Sequence, residues 1–179
     1  QFGDVTLRIE PLEAGSGLIF ESEITGATLP TEYFGPVEQG FKEAAQSGVV
    51  AGHPVVDIKA ILIDGSHHEV DSSEVAFKIA SSMAFKEACQ KASPFILEPV
   101  MLMEVVTPEE FLGDVLGDLQ SRRAQVQSME PQASLQIVKA HVPLAETFQY
   151  ATILRSNTTG RASFTQELDH YAPAPIKDK

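Results

Sequence analysis

"PVMLMEVVTPEEFLGDVLGDLQSRR", residues 99–123, reads as one strand followed by one helix. Val100 and Leu102 on one side, and Met101, Met103 and Val105 on the other, fill both faces of an extended run. Thr107-Pro108-Glu109-Glu110 then combines an N-cap hydroxyl, a proline at the first helical position and a capping-box acid. Leu112, Val115, Leu116 and Leu119 give the helix an apolar stripe. Downstream, two strands are predicted at about 124–130 and 134–142, separated by Pro131-Gln132-Ala133. A helix is expected from Pro143 to about Leu154, and Asn157-Thr158-Thr159-Gly160 turns the chain into a last strand at 161–169. The tail APAPIKDK carries no pattern and is expected to be unstructured. The order βαββαβ is the split-βαβ arrangement of ferredoxin-like domains.

Upstream, Ala92-Ser93-Pro94 and Glu98-Pro99 interrupt the periodicity and predict a boundary between them. Val5, Leu7 and Ile9 alternate with Thr6, Arg8 and Glu10 as in a half-buried strand. Gly15-Ser16-Gly17 then predicts a hairpin turn into a second strand at about 18–24. Pro36 suits a first helical turn, Val37, Phe41 and Ala45 recur every fourth residue, and Gly48 is placed to end that helix in a left-handed cap. From Val55 to Ile63 a β-branched run sets Val56, Ile58, Ala60 and Leu62 against Asp57 and Lys59, the third strand. Asp71 and Glu74 have capping-box spacing and open a helix running to about Lys91. This half reads ββαβα, and the whole chain is α+β with two domains.

The chain has 179 residues, 43% of them hydrophobic, enough for one good core or two small ones. Its net charge of -12 argues against non-specific binding to nucleic acid or an acidic membrane, so any RNA contact has to be local and shape-fitted. A single cysteine, Cys89, excludes an intrachain disulfide and a multi-thiolate zinc site. Its spacing from Val75, Ile79 and Met83 points to packing. No apolar run reaches membrane-spanning length and QFGDV lacks the features of a signal peptide, which predicts a cytosolic protein.

The chain carries no GxxxxGK[ST] loop, and Gly15-Ser16-Gly17 lacks the spacing of a dinucleotide fingerprint. Glu109, Glu110 and Asp114 are explained by helix capping and the helix dipole. Arg122 and Arg123 stand at a helix end, where the dipole favours cations and where a phosphate contact is the alternative. "DGSHHEVDSSE", residues 64–74, places two adjacent histidines on an exposed turn. Neighbours in an extended segment project to opposite sides, which disfavours chelation of one metal, and no HxH or HExxH spacing replaces it. Acid–base catalysis would need a nucleophile, but Ser66, Ser72 and Ser73 are turn or cap residues. Two solvated turn histidines are one reading. Recognition of a partner is the other, with Gly65 allowing close backbone approach and the imidazoles stacking or donating hydrogen bonds.

"LPTEYFGPVEQGFKEAAQSG", "AGHPVVDIKAILIDGSHHEVDSSEVAFKIASSMAFKEA", "LEPVMLMEVVTPEEFLGDVLGDLQSRR" and "VPLAETFQYATILRSNTTGRASFTQELDHY" together resemble, in order and over nearly the whole chain, the C-terminal part of bacterial and organellar elongation factor G. The resemblance implies that residues 1–95 are domain IV, truncated at its N-terminus and missing its first strand. That domain has the fold of the second domain of ribosomal protein S5, with a left-handed βαβ crossover. Residues 96–179 are implied to be the ferredoxin-like domain V.

The implied role is the ribosome-binding arm of a translational GTPase that promotes tRNA–mRNA translocation during protein-synthesis elongation. The domain IV tip would enter the small-subunit decoding centre and touch RNA and tRNA through Gln1, Phe2, Gly3, Asp64, Gly65, Ser66, His67 and His68. His68 falls where the family carries its tip histidine, and His67 where a tyrosine is common. Domain V would lean on large-subunit RNA near the GTPase-associated centre, with Arg122, Arg123, Arg155 and Arg161 as candidate contacts. Ala124-Gln125 and Gln132-Ala133 replace more basic, glycine-containing pairs of the family. The resemblance implies no catalytic residue, metal or cofactor in this chain, GTP and Mg belonging to an N-terminal domain of a larger cytoplasmic, monomeric parent. A paralogue serving ribosome recycling or tetracycline ribosome protection is the alternative. An independent enzyme or small-molecule-binding protein is a third.

Overall fold

Strand β1 (Asp4–Pro11) pairs with β3 (Ile58–Ser66), not with its sequence neighbour β2 (Leu18–Ser22), and β3 lies between them in the order β1-β3-β2. The predicted hairpin is therefore corrected. β1 is antiparallel and β2 parallel to β3, because the glycine turn is held to the approach of β3 and does not pair β1 with β2. The Gly17 amide donates to Asp57 Oδ1 at 3.0 Å, and the Ile58 amide donates to the Gly17 carbonyl at 3.1 Å. Asp57 takes a left-handed backbone with φ of 59°, so the third strand starts at Ile58 instead of Val55. The computed structural model describes residues 1–176 and divides at Ile96/Leu97 into two units.

The first unit also contains α1 (Phe34–Ser47), entered through a 3-10 turn, and α2 (Glu74–Lys91). Phe41, Ala44, Ala45, Ala60, Phe85 and Cys89 form one buried cluster, and Leu29, Val37, Leu62 and Phe77 a second. The helices meet at Gly40, where a Cβ would stand 2.2 Å from the Lys78 carbonyl oxygen. Beside that contact the buried Ser81 hydroxyl donates to the Val37 carbonyl at 2.6 Å. Three local expectations change. Ser73 caps α2, its hydroxyl accepting from the Ala76 amide at 3.1 Å, so Asp71 and Glu74 form no capping box. Gly48 ends α1 with φ of 77°, but its ψ of 166° sends the chain off extended. Cys89 is buried with Phe77, Ser81 and Phe85, whereas Val75, Ile79 and Met83 are a separate, exposed stripe.

The second unit is β4 (Leu97–Pro108), α3 (Leu112–Ser121), β5 (Gln125–Gln132), β6 (Leu135–Pro143), α4 (Tyr150–Asn157) and β7 (Ser163–Pro173), the ferredoxin-like βαββαβ order. Its antiparallel sheet runs β5-β6-β4-β7. Met103, Val105, Val138, Ala140 and Val142 bury one face with Val115, Leu119, Tyr150 and Leu154. Glu98-Pro99 lies inside β4, so it breaks nothing. Thr107 is the buried partner of Gln136 in the sheet, which removes it as an N-cap; a 3-10 turn at Glu109–Phe111 leads into α3 instead. The predicted helix from Pro143 is a 3-10 turn (Leu144–Glu146) and then α4, separated by Gln149 at φ of 57°. Ala172 and Pro173 continue β7, which corrects part of the expected tail, and residues 177–179 lie outside the described residues. No helix among the described residues is long and apolar enough to cross a membrane.

Candidate nucleic-acid interface

The 64–74 segment begins as strand. Asp64, Gly65 and Ser66 pair with Thr6, Val5 and Asp4, and the Ser66 hydroxyl donates to Asp4 Oδ2 at 3.0 Å. Gly65 is buried, and a Cβ there would meet the Asp4 carbonyl oxygen at 2.9 Å and Leu29 Cδ2 at 3.0 Å. Its lack of a side chain thus serves the strand and Leu29, not the approach of a ligand. The Asp64 carboxylate is exposed and accepts from the Gly65 amide at 2.8 Å.

The turn closes on His68. Its amide donates to Ser72 Oγ at 2.7 Å, while its carbonyl accepts from the Ser72 amide at 3.2 Å. The N-terminal residues run alongside. The Phe2 amide donates to the Asp71 carbonyl at 2.6 Å, the Ser73 hydroxyl donates to Gln1 Oε1 at 2.8 Å, and Phe2 bridges to Ser72. Gly3 passes over the first turn of α2, where a Cβ would lie 3.0 Å from the Ala76 carbonyl. This brings the Phe2 ring edge-on to the His68 imidazole at 4.4 Å between centroids. Aromatic pairs of this geometry contribute about 0.5–1.5 kcal/mol beyond area burial.

The two histidines project differently, as expected of neighbours. His68 is exposed; His67 is half-buried, 6.3 Å from Tyr33, which stacks on Phe77 at 4.2 Å. The eight residues expected at the tip, Gln1, Phe2, Gly3, Asp64, Gly65, Ser66, His67 and His68, are thus brought together at one end of the first unit. The turn carries acids and no lysine or arginine, so what it offers outward is a fixed imidazole edge and neutral hydrogen-bonding groups. Tyr33 and Ser72 escaped the sequence reading as parts of this site. An aromatic three residues before the proline of a first helical turn, and a serine four residues beyond a turn histidine, were the available signals.

The four arginines of the second unit are differently engaged. Arg122 donates to Asp118 Oδ2 at 2.9 Å and to the Glu146 carbonyl at 2.7 Å, and lies over the Tyr150 ring. It joins α3 to the segment before α4, leaving little of its guanidinium for an outside phosphate. Arg123 forks onto Glu98 at 3.0 and 3.2 Å and reaches Glu146, and the Glu98 hydrogen bond is the main cause of its raised pKa. Arg161 pairs with Glu110 beside Phe111. Arg155 is exposed on α4 and forms no ion pair among the described residues.

Comparison with known proteins gives three findings. Residues 1–93 match the sequence family "Elongation factor G, domain IV", and residues 95–179 match "Elongation factor G C-terminus". A crystal structure of a protein from Thermus thermophilus superposes with a TM-score of 0.85 at 48% identity over 98% of this chain. The match spans 26% of that protein's length.

Proposed function

Because this chain belongs to the elongation factor G family, as domain IV followed by the C-terminal domain, we propose that it is the ribosome-binding arm of a translational GTPase that moves the tRNA–mRNA duplex. In this reading His68, with Gln1, Phe2, Gly3, Asp64, Ser66 and His67 around it, enters the small-subunit decoding centre. Arg155, and after it Arg123 and Arg161, are the candidate contacts of the second unit to large-subunit RNA near the GTPase-associated centre. GTP and Mg belong to a different domain of the parent protein.

The observation that carries the proposal is the exposed His68 ring, fixed from behind by Phe2 and by both backbone bonds to Ser72. A side chain already held in one place loses little freedom on binding, which favours a contact made and broken once per cycle. The surrounding acids oppose phosphate at long range, so the contact is short-ranged and selective for shape.

The test is His68→Ala in a full-length factor containing this segment, followed by single-round translocation and ribosome-stimulated GTP hydrolysis. Translocation is expected to slow roughly tenfold, equivalent to about 1.4 kcal/mol of barrier, with hydrolysis nearly unchanged. An unchanged translocation rate overturns the proposal. If ribosome splitting or tetracycline release falls instead, the chain belongs to a recycling or protection paralogue.

A further inference from the structure

The last strand of the second unit contains an extra residue. β7 pairs with β4 through Val100↔His170 and then Met101↔Leu168, so Asp169 has no partner and forms a β-bulge. Consecutive strand residues normally face opposite sides of a sheet, and a bulge re-aims them. Here Asp169 and His170 both reach the same neighbour, His141 of β6. Asp169 Oδ2 lies 2.6 Å from His170 Nδ1 and 3.4 Å from His141 Nε2, and the two imidazoles are 5.2 Å apart between centroids. One ligand-capable atom from each residue falls within 4.8 Å of the other two. His141 alternates with the core residues Val138, Ala140 and Val142, so the group lies on the sheet face away from the core.

The geometry points to a binding site for a divalent transition-metal ion of the zinc class, held by His141 Nε2, His170 Nδ1 and an Asp169 carboxylate oxygen. Two imidazoles and one carboxylate are a donor set for zinc and its neighbours, whereas magnesium and calcium prefer oxygen alone. Bonds of about 2.0–2.1 Å in a tetrahedron put ligand atoms about 3.3 Å apart. The His141–Asp169 separation already has that value. The His170–Asp169 separation of 2.6 Å is that of a hydrogen bond, and all three ligand atoms lie within 4.8 Å of one another, so the ion would take the place of the proton after rotations of the carboxylate and of an imidazole. The partly exposed site leaves a fourth position for water. The ion would tie β6 to β7 across the intervening β4, two strands that share no hydrogen bonds.

The test is calorimetric titration of the 179-residue chain with zinc chloride, repeated with cobalt(II) for the visible band of a tetrahedral site. One ion per chain at micromolar affinity is expected, with a rise in melting temperature. His141→Ala and His170→Ala should each weaken binding roughly tenfold or more, since even outer-shell partners of a metal contribute that much. His53→Ala should leave it unchanged. All three side chains are partly exposed, so the variants should melt near the parent without zinc. The proposal is overturned if no saturable heat appears up to about 1 mM zinc. It is overturned equally if binding survives both substitutions, or is lost in His67→Ala/His68→Ala instead.

Discussion

Among the described residues the buried Tyr150 hydroxyl has no hydrogen-bond partner, while its ring packs edge-on to Phe164 at 4.8 Å. A buried unpaired hydroxyl costs about 1–3 kcal/mol. Tyr150→Phe keeps the ring and the Arg122 contact, and should raise stability by about 1 kcal/mol in urea unfolding at neutral pH. Burial, aided by the Asp118 charge and opposed by Arg122, raises the pKa of this hydroxyl; burial likewise raises the Cys89 thiol. The sign follows from the protonated forms being favoured in the folded state. Both contributions are complete below the unfolded pKa values, about 8.5 for the thiol and 10 for the phenol, and are lost as the unfolded groups ionise above them. Melting temperature should therefore fall on the alkaline side, more shallowly in Cys89→Ala and Tyr150→Phe. Native Cys89 should resist iodoacetamide at pH 8 until urea is added. At this scale the sequence indicated His68 through its turn residues and its family resemblance. The resemblance set Phe2 in the same group, but not as the ring packed edge-on to the imidazole, because no local pattern joins positions so far apart.

Among the elements, the α1–α2 contact leaves no room for a side chain at Gly40. Gly40→Ala drives a methyl into the Lys78 carbonyl and should cost more than about 2 kcal/mol, since the obstacle is helix backbone. Chemical denaturation with a folded circular-dichroism spectrum would measure it. At the end of α3, Arg123 occupies a left-handed position with φ of 57°, and the Ala124 amide closes back on the Leu119 carbonyl. Arg123→Ala should thus be more destabilising than Arg123→Gly by about 1 kcal/mol, although both lose Glu98. The strands and the stripe of α3 were legible from alternation and period. Partners were less so: β1 and β2 are close in sequence and apolar, yet β3 separates them. Thr107 and Asp71 satisfy capping spacing, yet a strand claims the first and Ser73 displaces the second. Val75, Ile79 and Met83 have the period of a buried stripe; only packing reveals that Phe77, Phe85 and Cys89 hold that place.

At the scale of the molecule, residues 97–179 have a closed pattern and a core of their own. Expressed alone they should fold and melt in one cooperative transition, whereas a molten spectrum would contradict this. The two-part organisation was legible from the proline-marked change near residue 94 and from the βαββαβ order. The His141, Asp169 and His170 cluster was not, since it depends on one unpaired residue in β7 that no spacing rule reports. The central position of β3 has a consequence for how the chain is made. β1 and β2 both wait for a strand whose end, Ser66, pairs with Asp4, about sixty residues earlier. At roughly 5–20 residues per second of synthesis, the first two strands remain without partners for several seconds, while β5 finds β6 almost as soon as both are made. A nascent chain stalled just before Ile58 is therefore the species in which chaperone capture and aggregation should concentrate.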